Sequence, residues 1–86
     1  MNWTASKQWQ SRVGEKGSRV LITINCEIGP RGFRSQSYTW WLDPQDTDAR
    51  PVYCQSPAIS LTEAKRRATK EATALIERLV AAKGGA

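Results

Sequence analysis

The stretch ISLTEAKRRATKEATALIERLVAAK, residues 59–83, decides the fold. Ser60 and Glu63 have the spacing of a capping box, in which the serine side chain accepts a hydrogen bond from the backbone three residues on. Ile59 stands in the hydrophobic staple position before it. No Pro or Gly interrupts the run, and Gly84 and Gly85 follow it. These signals predict a C-terminal helix over residues 60–83 and a short tail over residues 84–86.

One face of this helix is apolar, and its centre is built from alanine. The apolar positions recur at steps of three and four: Leu61, Ala64, Ala68, Ala72, Leu75, Leu79 and Ala82, widened by Ile76 and Val80. A stripe of small side chains lets the helix axis come close to its neighbour. We therefore expect a sheet beneath the helix, formed by the residues before 59.

Residues 18–28, SRVLITINCEI, alternate between apolar and polar side chains, as in a strand with one buried face. The inner face is predicted to carry Val20, Ile22, Ile24, Cys26 and Ile28. The turn residues of GPRG, 29–32, break this strand, and residues 34–42, RSQSYTWWL, form the next one.

Parity decides how these two strands pair. A four-residue loop would leave Tyr38, Trp40 and Leu42 outside. A five-residue loop that includes Phe33 turns these three side chains inward, with the pairs Ile24–Tyr38, Ile22–Trp40 and Val20–Leu42. The second register buries more apolar area, at about 25 cal/mol per Å2, and is therefore preferred. Trp41 is then predicted to point outward, beside Leu21.

The remaining segments complete an α+β domain over residues 1–86. In residues 1–17, Trp3, Ala5, Trp9 and Val13 share the parity of a strand, and a short irregular or helical N-terminus stays open. Residues 43–51 read as a polar loop, and residues 52–56 as a short strand with Val52 and Cys54, or else Tyr53, facing inward. The predicted fold is a three- or four-stranded antiparallel meander in residues 18–56, with or without the N-terminal strand, covered on one face by the helix.

Composition narrows the function classes. The 13 Lys and Arg against 8 Asp and Glu give a net charge of +5, which favours acidic partners. The chain has no histidine, the commonest general base, and its two cysteines are too few for a disulfide framework or a structural zinc site. We expect no enzyme activity, no cofactor and no metal. With no signal peptide and no long apolar run, we expect a cytoplasmic protein that does not enter a membrane.

Three surfaces are candidates for binding. The first is the hairpin tip, where Arg31, Phe33 and Arg34 offer two guanidinium groups and an aromatic ring. The second is the outer sheet face, where Trp41 and Leu21 stand among Ser, Thr and Asn, with Arg19 at its end. The third is the helix run with Arg66, Arg67 and Lys70, whose cations are mixed with Glu63, Glu71 and Glu77. A face of mixed sign at i,i+4 spacing is typical of a solvated surface.

The order of elements, with Thr62-Glu63-Ala64 and later alanines in the helix, resembles the AP2-type and phage-integrase amino-terminal DNA-binding domains over residues 19–79. That resemblance implies a sheet that reads the major groove of DNA. Those sheets carry several Arg and Trp side chains outside, whereas Ser, Thr and Asn dominate here. In size and in lacking a catalytic set, the chain also looks like small phage and mobile-element domains that inhibit host proteins, including anti-defence proteins.

The sequence therefore predicts a small non-catalytic module that binds another protein of acidic or mixed surface, or a second copy of itself. The residues predicted for this contact are Arg31, Phe33, Arg34, Trp41, Leu21 and Arg19. The alternative is a sequence-tolerant nucleic-acid-binding domain. Its predicted phosphate contacts are Arg31, Arg34, Arg19, Arg12, Arg66 and Lys70.

Overall fold

The computed structural model describes residues 8–28 and 36–84, which form one antiparallel sheet and one helix. The strands are β1 (Gln8–Val13), β2 (Val20–Ile28), β3 (Gln36–Pro44) and β4 (Val52–Tyr53), and the helix is α1 (Leu61–Gly84). Sheet order follows chain order, β1-β2-β3-β4. The predicted α+β meander with a C-terminal helix is confirmed, in its four-stranded form.

The alanine stripe packs on the sheet as predicted. Ala64, Ala68 and Ala72 are fully buried, against a core that includes Ile22, Ile24, Trp40 and Leu42. Small side chains on the helix leave room for bulky ones on the sheet, so the two layers fill the space together. Farther along the helix the stripe loses contact with the sheet, because Val80 and Ala82 are exposed.

The start of the helix follows only part of the prediction. Ser60 Oγ accepts the backbone N–H of Glu63 at 3.2 Å, which confirms the cap. Ile59, however, is 85% exposed, so the predicted staple is wrong. The reason lies one residue earlier: Ala58 is buried and exchanges two backbone hydrogen bonds of 2.9 Å with Tyr38. The next side chain therefore points away from the core.

The pairing of β2 with β3 keeps the predicted faces and shifts the predicted partners. Tyr38, Trp40 and Leu42 turn inward, as expected. The pairs are Cys26–Tyr38, Ile24–Trp40 and Ile22–Leu42, two residues away from the predicted register. Since Ile28 pairs with Gln36, residues 29–35 connect the strands, rather than a five-residue loop. β3 accordingly runs on to Pro44, which was assigned to the polar loop.

β1 and β4 complete the sheet. Trp9 and Val13 of β1 pack against the core, as their parity predicts, while Trp3 and Ala5 lie outside the described residues. In β4, Val52 faces inward, and Cys54 just beyond it also contacts the core. The turn after β1 needs glycine at residue 14, where φ is +100° and an added Cβ would lie 3.0 Å from Ile76 Cδ1 of the helix.

Candidate protein-binding face

The sheet has a second face, which points away from α1. We call it the outer face, and it is defined by the alternate positions of the four strands. Its described side chains are Gln8, Gln10, Arg12, Leu21, Thr23, Asn25, Ser37, Thr39, Trp41, Asp43 and Tyr53. No helix or strand of the described residues covers this face.

An aromatic pair stands on the outer face. Trp41 of β3 lies opposite Tyr53 of β4, and the two ring centroids are 6.4 Å apart with the planes tilted by 39°. Trp41 is half-buried and Tyr53 is 67% exposed. This spacing is favourable for an aromatic pair, and the two rings together form an apolar platform that is partly open to solvent.

The floor beside the platform is closely packed. Thr23 lies on the outer face between Gln10 and Trp41, yet only 1% of its surface is exposed. The Gln10 amide nitrogen is 3.5 Å from Thr23 Oγ1, and the Gln8 amide donates to Asn25 Oδ1 at 3.0 Å. The first of these cross-strand contacts lies beside Trp41, and the second lies two residues farther along β2, opposite Thr39. The face thus offers an ordered surface in the free protein.

The outer face carries almost no net charge. Among its described side chains, Arg12 is the cation and Asp43 is the anion, and they flank Leu21 on neighbouring strands. Amide and hydroxyl side chains make up most of the rest. Aromatic side chains amid uncharged polar groups are typical of the centre of a protein–protein interface, where charged residues are depleted.

Arg19, predicted as a contact residue for either partner, is committed within the fold. Its guanidinium forms a fork with Asp46, with Nη2–Oδ1 at 2.7 Å and Nε–Oδ2 at 2.9 Å. Asp46 Oδ2 also accepts the backbone N–H groups of Arg19 and Gly17. The Arg19 side chain, followed by these backbone donors, holds the pKa of Asp46 well below its usual range. The pair fixes the loop after β3 to the start of β2.

The helix cations divide into two groups. Arg66 and Lys70 are exposed, as predicted. Arg67, which was placed with them, instead packs over the core: its Cζ is 4.8 Å from the centroid of the Trp40 ring. Its guanidinium donates to Ser56 Oγ at 2.9 Å and to the carbonyl groups of Ser56 and Pro57. Arg67 therefore ties the segment after β4 to the helix.

The predicted contact residues do not all meet. Trp41 and Leu21 share the outer face, and Arg19 stands at its end in the ion pair with Asp46. Arg12 is also on the outer face, whereas Arg66 and Lys70 lie on the helix, in the opposite layer. Arg31, Phe33 and Arg34 lie outside the described residues, so their roles stay predictions.

Two participants were missed by the sequence reasoning. Tyr53 was left open between the inner and outer face, and its contact with Trp41 depends on β4 pairing beside β3. Asp46 lies in residues 43–51, which were predicted only as a polar loop. No local pattern around residue 46 indicates its contacts with Gly17 and Arg19, which precede it by 29 and 27 residues.

The described residues contain no group of three or more His, Cys, Asp and Glu side chains that could hold a metal ion. Burial and the neighbouring Cys26 raise the pKa of Tyr38. No helix among residues 8–28 and 36–84 is both long and apolar enough to span a bilayer.

Comparison with protein-family models, with curated proteins and with solved structures finds no match to this chain.

Proposed function

We propose that the chain is a small non-catalytic module that binds another protein through the outer face of its sheet. The observation that carries the proposal is the Trp41–Tyr53 pair, in which Tyr53 is exposed and Trp41 half-buried, and which no described helix or strand covers. Tryptophan and tyrosine, together with arginine, are enriched among the residues that dominate binding energy. In this proposal the contact itself is the activity, as in small inhibitors and accessory proteins of the phage type.

Charge supports a protein partner over nucleic acid. A surface that tracks phosphates needs several cations on one face. Of the described candidates, Arg12 lies on the outer face, Arg66 and Lys70 lie on the helix layer, and Arg19 is paired with Asp46. A neutral aromatic face suits a partner whose own surface is apolar at the centre and polar at the rim.

Site-specific photo-crosslinking in the native host tests the proposal. A crosslinking amino acid at position 10, on the outer face, is expected to capture a discrete partner, and one at position 66, on the helix, is not. With the purified partner, Trp41→Ala should weaken binding by about 30-fold or more, as expected for a hot-spot residue. Ile59→Ala removes an exposed apolar side chain outside this face and should leave binding unchanged.

The same proteins distinguish the alternatives. Binding to a labelled duplex or single strand at about 50 mM salt that collapses at about 200 mM would favour nucleic acid. A dimer in light scattering that becomes monomeric in Trp41→Ala would identify the partner as a second copy. Partner binding that survives Trp41→Ala in a folded variant would refute the outer face as the contact.

A further inference from the structure

A groove runs between β4 and the flank of α1, at the edge of the sheet opposite β1. Its volume is about 420 Å3. Leu42, Val52 and Ala74 supply its apolar lining, and Arg67, Glu71 and Arg78 supply its charged lining. Trp41 does not line the groove, whereas Tyr53, its aromatic contact on the outer face, lies at the boundary between the two surfaces and lines both.

The helix presents a single row to the groove. Arg67, Glu71, Ala74 and Arg78 are spaced by four, three and four residues, which places them on one face of an α-helix. At about 1.5 Å per residue, Arg67 and Arg78 are about 16 Å apart along the axis. The row therefore offers positive charge near each end, with a glutamate and an alanine between.

Arg67 is already held in position before any ligand binds. Arg67 is held by Ser56 and Pro57 and by the Trp40 ring. A guanidinium already ordered by the fold loses little side-chain entropy when a ligand arrives. Its remaining surface is available to the groove, because Arg67 is only partly buried. Arg78 at the other end is exposed.

The opposite wall of the groove has a free main chain. The backbone N–H of Cys54 bonds to the Trp40 carbonyl oxygen at 2.9 Å, which makes Trp41–Tyr53 the neighbouring pair without hydrogen bonds. The N–H and C=O of Tyr53 therefore point away from β3, toward the open edge of the sheet. β4 is short and lies between Pro51 and Pro57, so this edge can accept only a short added strand.

We propose that this groove binds an extended acidic peptide segment of another protein, added as a strand beside β4, with carboxylates at Arg67 and Arg78. Both carboxylates must lie on the face of the added strand that turns toward α1, so they are an even number of residues apart. At about 3.3 Å per residue, spacings of roughly four or six residues fit the distance between the two arginines. Side chains between them would contact Leu42, Val52 and Ala74. Glu71 disfavours an acidic residue at the centre and a continuous chain of phosphates, so the charge order favours a peptide over a single nucleic-acid strand.

Fluorescence anisotropy with a labelled peptide tests this assignment. The probe has two glutamates roughly six positions apart, an even spacing that puts both on one face of the strand, with valine and threonine between them. We expect saturable binding to the full chain, weakened about tenfold or more by Arg78→Glu. Arg66→Glu makes the same charge change on the exposed helix outside the groove and should have little effect. Replacing both glutamates of the probe by glutamine should weaken binding to a similar extent.

A second probe tests the main-chain hydrogen bonds between the peptide and β4. A probe N-methylated at alternate residues loses the donors that strand addition requires, and it should bind more weakly than the parent peptide. Equal binding of the parent and glutamine probes, equal effects of Arg78→Glu and Arg66→Glu, or no saturable binding would overturn the proposal. The proposal would also be overturned if a single-stranded oligonucleotide displaced the probe completely, or if a second copy of the chain occupied the groove in a dimer.

Trp41→Ala separates this site from the outer face. The variant should bind the acidic probe like the wild type, because Trp41 does not line the groove and strand addition uses the main chain of Tyr53 rather than its ring. Loss of the photo-crosslinked partner with retained probe binding would leave both surfaces in place. Loss of probe binding in Arg78→Glu alone, with the crosslinked partner unchanged, would show that the two sites work independently.

Discussion

Trp40 and Trp41 are neighbours in the chain and have opposite environments. Trp40 is 1% exposed and lies in the core beneath the helix, with Arg67 over its ring. Trp41 is half-buried on the outer face, where Tyr53 is its aromatic contact. Successive side chains of a strand point to opposite sides of the sheet, so one residue type serves two purposes in adjacent positions.

The difference between them comes from what each face meets. The alanine stripe lets α1 approach and close over Trp40, while the described residues place no element over Trp41. Burial of Trp40 has a cost: its indole N–H has no hydrogen-bond partner in the described structure. Packing and the cation over its ring therefore hold Trp40 in place, and the fold depends on that packing. The fold does not depend on packing around Trp41 in this way, so the Trp41 ring is available to contact a partner.

Removing the buried ring should have the largest effect. Trp40→Ala is expected to lower the free energy of unfolding by about 3–5 kcal/mol, because it leaves a cavity beneath α1 and removes the surface on which Arg67 rests. For a domain of this size, that loss is comparable to the whole stability. Urea denaturation followed by circular dichroism measures it. A loss below about 1 kcal/mol would contradict the central place given to Trp40.

The face of the sheet on which each tryptophan lies could be predicted from the sequence. Apolar alternation in β2 and β3 placed Tyr38, Trp40 and Leu42 inside, because reversing it would bury polar side chains. The paired residues of β2 and β3 could not be predicted, because shifting the register by two residues leaves every side chain on the same face of the sheet. Only the length of the connection between Ile28 and Gln36 distinguishes the two registers, and turn signals did not determine that length.

The candidate site also has one part that could be predicted from the sequence and another that could not. The outward position of Trp41 follows from alternation alone, so it could be predicted. Tyr53, Asp46 and Arg67 make their contacts with residues far along the chain, and no local pattern encodes such pairs. Arg67 shows this most clearly: helical spacing placed it among solvated charges, whereas the segment after β4 draws its guanidinium over Trp40.

A narrower change tests the close approach of α1. Ala68→Leu should lower the free energy of unfolding by about 1–3 kcal/mol, because the fully buried Cβ of Ala68 leaves no room for a larger side chain. Ala81→Leu adds the same atoms to an exposed position of the same helix and serves as the control. Equal stabilities of the two variants in urea would show that the helix has space above the sheet.

Acid should act at one end of the sheet, through Asp46. Arg19 and two backbone N–H groups depress the pKa of this carboxylate, so its ionised form stabilises the folded state. That stabilisation is fully present above the ordinary aspartate pKa of about 3.9 and is lost as the pH falls toward the lower folded value. Asp46→Asn should therefore melt below the wild type near neutral pH, with a gap that narrows below about pH 4.

Thermal unfolding across this pH range measures the gap. Asp48→Asn makes the same charge change in the same loop, at an exposed position, and provides the comparison. A gap that stays constant down to strong acid would mean that the Arg19–Asp46 pair contributes nothing through its charge. A gap shared by Asp48→Asn would point to the net charge of the loop instead.

The smallest effect on stability is expected at Trp41. Trp41→Ala should cost about 1 kcal/mol, the scale of the lost aromatic contact with Tyr53, since no helix or strand of the described residues closes over the ring. Thr23 would become more exposed, and a hydroxyl tolerates water well. A loss of about 3 kcal/mol or more, approaching that of Trp40→Ala, would mean that the outer face is closed in the free protein. The two tryptophans would then be equivalent, and a binding role for Trp41 would lose its structural basis.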